Sequence, residues 1–239
     1  MNIKKKTFFE QLLELRSVLI KSLLIYLALV IILIPFSTNI YEFFAQPLLD
    51  ELAILNGSII STKLSATFIV PFKITALIAF IVSYPIIFYH IWSFVAPGLY
   101  KKEKFFATFL FLFSFFLFML AAIFVYFIVF PAIFHFFVSI TPKDVGLMID
   151  ISNYLEMIIA LFIAFGLAFQ IPLIIISSVK FEWIEIVTFQ KNRSYFFAFS
   201  FVFGAIFTPP DIISQILLAI PVYFLYEIGI VLSKKIKLR

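Results

Sequence analysis

Few side chains in this chain of 239 residues can do chemistry, and those few do not converge on one reaction. Two carboxylates stand among cations. Glu14 lies in Phe8-Phe9-Glu10-Gln11-Leu12-Leu13-Glu14-Leu15-Arg16, beside Arg16. Glu103 is the one acid in Trp92-Ser93-Phe94-Val95-Ala96-Pro97-Gly98-Leu99-Tyr100-Lys101-Lys102-Glu103-Lys104. Each is either a binding group or a solvated charge, and residue type alone leaves both readings open. Gln170 sits within an apolar run and can hydrogen-bond across helices, worth about 0.6–2 kcal/mol. Ser214 and Gln215 follow Asp211 closely, as interhelical glue or as the lining of a polar cavity. The two histidines, His90 and His135, fall near the ends of successive apolar runs that emerge on opposite faces, and cannot share one ion. Cysteine is absent, so there is no thiolate site, disulfide or Cys nucleophile. No Ser/His/Asp set shares one depth, and the six scattered glycines form no phosphate loop. No enzymatic activity, metal or cofactor is expected.

The elements that hold these side chains are set by the solvent. Hydrophobic residues make up 64% of the chain and charged residues 13%, with mean hydropathy +1.16. A water-soluble domain is about 45–50% apolar and about 25% charged. A soluble enzyme, a nucleic-acid-binding domain and a disordered chain are thereby excluded; the solvent is lipid. The 36 phenylalanines, with abundant Ile and Lys, read as a coding bias rather than a functional signal.

Continuous apolar runs, without the period-2 alternation of barrel strands, predict an all-α integral membrane fold. It is one polytopic domain over 1–239, with spans at about 17–37, 74–94, 105–131, 155–179, 194–208 and 211–232. Lys4, Lys5 and Lys6 precede the first run, but the run is too long for a leader peptide and is read as a retained helix. Fifteen of the 18 basic residues fall on one side of six spans; only Lys63, Lys73 and Lys143 fall on the other. The positive-inside rule then places both termini in the cytoplasm.

The fifth and sixth spans read as short. Fourteen residues separate Arg193 from Thr208, about 21 Å of helix against a hydrocarbon core of about 30 Å. Glu227 similarly bounds the sixth, unless it lies within the span and faces other helices. Local bilayer thinning is the other reading. Thr208 is expected to cap the sixth helix, with Pro209 and Pro210 in its first turn and Asp211 at its positive end. Asn153 with Glu156 reads as a capping box for the fourth. The long loops at about 38–72 and 132–154 are expected to hold short helices on the membrane.

Six ordered segments resemble the TatC family, the large subunit of the twin-arginine protein translocase. They are Leu12-Leu13-Glu14-Leu15-Arg16; Ser93-Phe94-Val95-Ala96-Pro97 through Leu99-Tyr100-Lys101-Lys102-Glu103; Phe124-Val125-Tyr126-Phe127 with Pro131; Asp150-Ile151-Ser152-Asn153-Tyr154; Phe207-Thr208-Pro209-Pro210-Asp211; and Ser214-Gln215. The similarity runs from about Phe9 to Ser233. It implies a cupped six-helix protein of the bacterial inner membrane (or an organelle membrane) that recognises signal peptides bearing two adjacent arginines. Folded proteins then cross, driven by the proton-motive force. The implied partners are the single-span TatA and TatB subunits, further copies of the chain and membrane lipid; nucleic acid is not among them.

By position, the resemblance implies signal-peptide contacts at Glu14, Arg16, Phe94, Pro97, Tyr100 and Glu103. It implies intramembrane polar or partner contacts at Gln170, Thr208, Asp211, Ser214 and Gln215, and structural roles for Pro47, Pro85, Tyr126, Pro209 and Pro210. The physics suits the two carboxylates. Guanidinium is planar and pairs bidentately with carboxylate, which ammonium cannot copy. Such a bond contributes about 1.5–3 kcal/mol when shielded and far less when exposed. Two positions depart from the family pattern: Gln11 stands where many members carry His, and Gln170 where many carry Glu. Neither position carries the titrating group that an acid–base relay uses. The rival reading, a small secondary transporter or channel, predicts internal repeats and a midplane site; no repeat is present. A membrane-embedded enzyme is the weaker rival, for lack of a converging catalytic set.

Overall fold

Proline and the backbone hydrogen bonds it removes set the bends of this fold. The computed structural model describes residues 8–53, 57–98, 101–142, 146–208 and 211–237. Among them are α1 (Phe8–Leu33), α2 (Ser37–Leu52), α3 (Ala66–Val95), α4 (Lys101–Phe124), α5 (Phe130–Ile140), α6 (Ile151–Ala168), α7 (Ile171–Lys180), α8 (Ile186–Lys191), α9 (Arg193–Phe207) and α10 (Ile212–Lys237). Two short strands, β1 (Ser58–Ile60) and β2 (Met148–Asp150), complete the list. Five helical stretches are long and apolar enough to cross a membrane: Phe9–Leu52, Ala66–Val95, Lys104–Ile140, Ile151–Lys180 and Ile212–Lys235. Arg193–Phe207 is apolar but shorter.

A straight 44-residue helix would reach about 66 Å, twice the hydrocarbon core. A 3-10 turn at Ile34–Phe36, holding Pro35, breaks it between α1 and α2. A π turn at Val125–Val129, just ahead of Pro131, joins α4 to α5. Pro172 in the first turn of α7 marks the break after Phe169-Gln170. Each break falls where a proline cannot donate, and each re-aims the chain at a loop or a crossing.

The expected short helices in the two long loops are present as α2 and α5, although both continue from the helix before them. Their pairing through a strand was not expected. β1 and β2 run parallel, with Ile59 opposite Ile149. Asp150 locks this junction: its carboxylate accepts from the Thr62 amide at 2.9 Å, the Thr62 hydroxyl at 2.6 Å and the Ser152 amide at 2.7 Å. Those three donors hold its carboxyl well below the usual range.

Several expectations need correction. The first helix begins earlier than residue 17, since α1 starts at Phe8. Asp150, not Asn153, caps α6, and Asn153 lies inside it. Asp211, not Thr208, caps α10: its carboxylate accepts from the Ser214 amide at 2.7 Å. Thr208 instead closes α9, its hydroxyl donating to the Gly204 carbonyl at 2.9 Å. The fifth helix is short, at 15 residues, but α10 runs 26 and is not. Pro209 and Pro210 lie outside the described residues.

The core gathers on α6. Ile158, Leu161 and Phe165 are fully buried there, packed with Leu48 and Leu52 of α2, Phe130 and Phe134 of α5 and Ile74 of α3. A smaller cluster joins Ile175 and Val179 of α7 to Tyr226 and Ile230 of α10. Lipid gives no hydrophobic drive between helices, so close contact must hold them. Gly229 is where α10 meets α7: a Cβ there would lie 2.8 Å from Ile175 Cδ1 and 2.9 Å from Pro172 Cα. Ring contacts carry much of the rest, and the phenylalanine bias supplies them.

Candidate functional site

Two regions of the bundle hold the residues that the sequence singles out for binding. The first lies at the shared end of α3 and α4. Phe94 is half-buried in the last turn of α3. Ala96 is buried and Pro97 exposed in the 3-10 turn Ala96–Gly98. α4 opens at Lys101, which puts the backbone of Glu103 in its first turn. Tyr100 and the side chain of Glu103 lie outside the described residues. α1 packs along α3, with Tyr26 meeting Phe80 edge-on at 6.4 Å between ring centres. Glu14 is half-buried two turns into α1, and Arg16 is exposed.

Two apolar cavities run along this side. One of about 260 Å³ lies between Trp92 and Val95 of α3, Ala107 and Leu110 of α4, and Leu173 of α7. Stacked rings shape it: Phe88 on Phe111 at 3.8 Å and Trp92 against Phe111 at 4.7 Å. The other, about 290 Å³, is walled by Phe80, Tyr84, Phe118, Phe162, Gly166 and Gln170. Ser114 borders the first cavity and Gln170 the second. They bond reciprocally: the Ser114 hydroxyl donates to Gln170 Oε1 at 2.6 Å, and Gln170 Nε2 donates to the Ser114 carbonyl at 3.3 Å. Gln170 is thus a neutral bridge between α4 and the α6–α7 break.

The second region is the α9–α10 hinge, which brings Thr208, Asp211, Ser214 and Gln215 together. Gly204 lets α9 approach there: a Cβ on it would lie 3.1 Å from the Gln215 carbonyl oxygen. Ser214 is fully buried, and among the described residues neither its Oγ nor Asp211 Oδ1 has a hydrogen-bond partner. Buried polar atoms are rarely left so, and a group that brought donors and acceptors here would be stabilised. Gln170 belongs to the other region, so the five polar positions read together in the sequence divide between two places.

The structural positions show their reason at Pro47. It removes the amide that would bond the Phe43 carbonyl four residues back, and that carbonyl accepts from the Tyr126 hydroxyl at 2.9 Å. The Tyr154 hydroxyl donates to the next carbonyl, Phe44. Pro85 lies half-buried inside α3.

The sequence reading missed one pair. Arg193 Nη2 donates to Glu227 Oε2 at 2.8 Å, tying the start of α9 to α10, and the Tyr223 hydroxyl donates to Glu227 Oε1 at 3.0 Å. Of the two readings of Glu227, the structure shows the one in which it faces a neighbouring helix. The signal was present: opposite charges at the ends of two adjacent apolar runs. His135 pairs with Glu51 at 3.1 Å, and His90 Nδ1 lies 2.8 Å from the Ile86 carbonyl oxygen. Among the described residues, no three His, Asp or Glu side chains gather as a metal site.

Stacked apolar helices, broken at prolines and carrying grooves and isolated polar bridges, define a multi-pass α-helical membrane protein. The profile of the family described as "Sec-independent protein translocase protein (TatC)" matches residues 10–221. A TatC of Azotobacter chroococcum is 37% identical over 226 residues, covering 95% of this chain and 88% of the relative. That of Rickettsia prowazekii is 36% identical over 239 residues, covering 98% and 95%. A crystal structure described as twin arginine translocase receptor TatC superposes with TM-score 0.81 at 34% identity, covering 94% of this chain and 98% of that one. The chain belongs to the TatC family, whose members are translocase components and not enzymes.

Proposed function

We propose that this chain is the signal-recognising core of a twin-arginine translocase, exporting folded proteins under the proton-motive force. The chain crosses the membrane six times, through α1, α3, α4–α5, α6–α7, α9 and α10. Both termini face the cytoplasm of a bacterial cell, and the membrane is the inner one. The asymmetry of basic residues supports this orientation.

The observation that carries the receptor reading is the placement of Glu14. α1 and α3, as successive crossings, run in opposite directions, and Tyr26 meets Phe80. About 18 Å from that contact toward the start of α1 stands Glu14; the same rise along α3 ends at Trp92. Glu14 thus sits level with the Trp92 cavity, close to Phe94 in the last turn of α3 and to Pro97 in the turn that follows. A signal peptide entering here sets its arginines against Glu14 and Glu103 and its apolar stretch along the cavities of α3 and α4. Arg16, exposed beside Glu14, keeps the segment at the headgroup level. Bidentate pairing with a planar guanidinium gives the preference for arginine over lysine.

The α9–α10 hinge supports contacts with the single-span TatA and TatB subunits, because its unpartnered Ser214 and Asp211 oxygens would be stabilised by a polar group on a neighbouring helix. Self-association uses other faces of the bundle. Gln170 acts as a neutral bridge and not as an acid.

The test is binding of a fluorescent signal peptide to the purified protein in micelles, Arg-Arg against Lys-Lys, on wild type, Glu14→Ala and Glu103→Ala. The Arg-Arg peptide is expected to bind about tenfold more tightly, with either substitution removing most of the difference. Equal binding of both peptides to all three proteins overturns the assignment.

A further inference from the structure

An amphipathic cavity of about 560 Å³ opens between α7 and α9, apart from the two regions above. Ile174 and Ile175 of α7 and Phe196 and Phe199 of α9 form its shaft, and Asn192 and Tyr195 line it where α9 begins. Its wall is pinned. Tyr226 of α10 stacks on Phe196 at 3.9 Å and donates its hydroxyl to the Phe189 carbonyl at 2.7 Å. From Asn192 to Phe199 the shaft rises about 10 Å along α9.

Tyr195, which lines the mouth, is 77% exposed, as interfacial aromatics are. The segment Lys191-Asn192-Arg193-Ser194-Tyr195 supplies an ammonium, an amide and two hydroxyls within five residues. Arg193 is held by Glu227, and Lys191, exposed at the end of α8, directly precedes Asn192 of the lining. The acids of this loop, Glu182 and Glu185, stand before α8 at its opposite end.

We propose that this cavity binds an anionic phospholipid, one acyl chain in the shaft and the phosphate at Lys191, Asn192 and Tyr195. The shaft runs only about 10 Å along α9, a third of the roughly 30 Å that a membrane-crossing helix presents. A single chain of methylenes fits such a shaft. Lipid tails are as apolar as Leu and Phe, so the shaft gains little over bulk lipid. Selectivity therefore comes from the mouth, where charge complementarity favours an anionic headgroup.

The test is native mass spectrometry of the full chain from micelles, titrated with dioleoyl phosphatidylglycerol or dioleoyl phosphatidylcholine. Wild type is expected to retain phosphatidylglycerol about fivefold better. Lys191→Glu with Asn192→Leu is expected to remove that preference. Ile174→Trp, whose added bulk enters the shaft from its exposed side, is expected to reduce both lipids while the thermal transition stays at the wild-type temperature. Equal retention of the two lipids by wild type overturns the proposal, as does unchanged phosphatidylglycerol binding by folded variants. A photo-reactive side chain in place of Ile174, irradiated in native membranes, gives an arm that needs no disruptive substitution. A lipid adduct is expected, and a crosslink to a single-span helix in its place overturns the proposal.

Discussion

The pair Arg193–Glu227 is expected to couple α9 to α10 by about 1–2 kcal/mol. The two charges meet at 2.8 Å, with the Arg193 side chain 43% exposed and Glu227 27%. A charge-assisted bond fully shielded from water contributes about 1.5–3 kcal/mol, and a fully exposed pair about 0.2–1; these exposures fall between the limits. The single losses should not be equal. Arginine left without its partner can extend toward the headgroups. Glu227 is shorter and lies inside α10, so Arg193→Ala takes away the cation that the structure pairs with it. Arg193→Ala is therefore expected to destabilise more than Glu227→Ala, by about 2–3 against 1–2 kcal/mol. The double variant Arg193→Met with Glu227→Met replaces both charges by apolar bulk and is expected to lose less than either single change. The assay is a double-mutant cycle of Arg193→Ala, Glu227→Ala and the double Ala variant on reversible unfolding in mixed micelles, with the double Met variant measured beside it. Additivity within about 0.5 kcal/mol would refute the coupling, and Glu227→Ala costing more than Arg193→Ala would refute the reasoning about depth.

Two further outcomes follow from the packing and the outer loops. Gly229→Leu is expected to destabilise by at least about 1–3 kcal/mol, because even its Cβ meets the Pro172 backbone at 2.9 Å; Gly146→Ala, with nothing within 4 Å of its Cβ, should leave the melting temperature unchanged. Asp150 carries a depressed carboxyl, so its contribution is fully present above its ordinary value of 3.8 and is lost as pH falls through the lower folded value. Hydrogen exchange of the Thr62 and Ser152 amides, followed from neutral pH downward, should show that loss in wild type and a pH-independent rate ratio in Asp150→Asn.

The sequence alone determined the solvent, and through it the secondary structure. Backbone groups in lipid must be satisfied within helices, so apolar runs bounded by charge could be read as helices at nearly their observed places. It also singled out Glu14, Glu103 and the Thr208–Gln215 stretch as polar positions in an apolar chain, and the resemblance, not their type or spacing, gave them roles. Helix ends were legible only as candidates: Thr208 and Asp211 are both good caps, and the choice rests on which side chain reaches the Ser214 amide. Tertiary structure alone decided which polar groups meet. Gln170 could have joined the hinge or faced lipid, and it bonds Ser114 because the break at Pro172 turns it toward α4. Arg193 and Glu227, 34 residues apart, meet because α10 folds back along α9. The pairing of β1 with β2 was equally hidden, because three-residue strands carry no periodicity that a sequence can display. The physical reason is the same in each case. One polar atom in lipid must find a partner, but which partner depends on the crossing of helices, and that is set by close contacts such as Gly229 on Pro172.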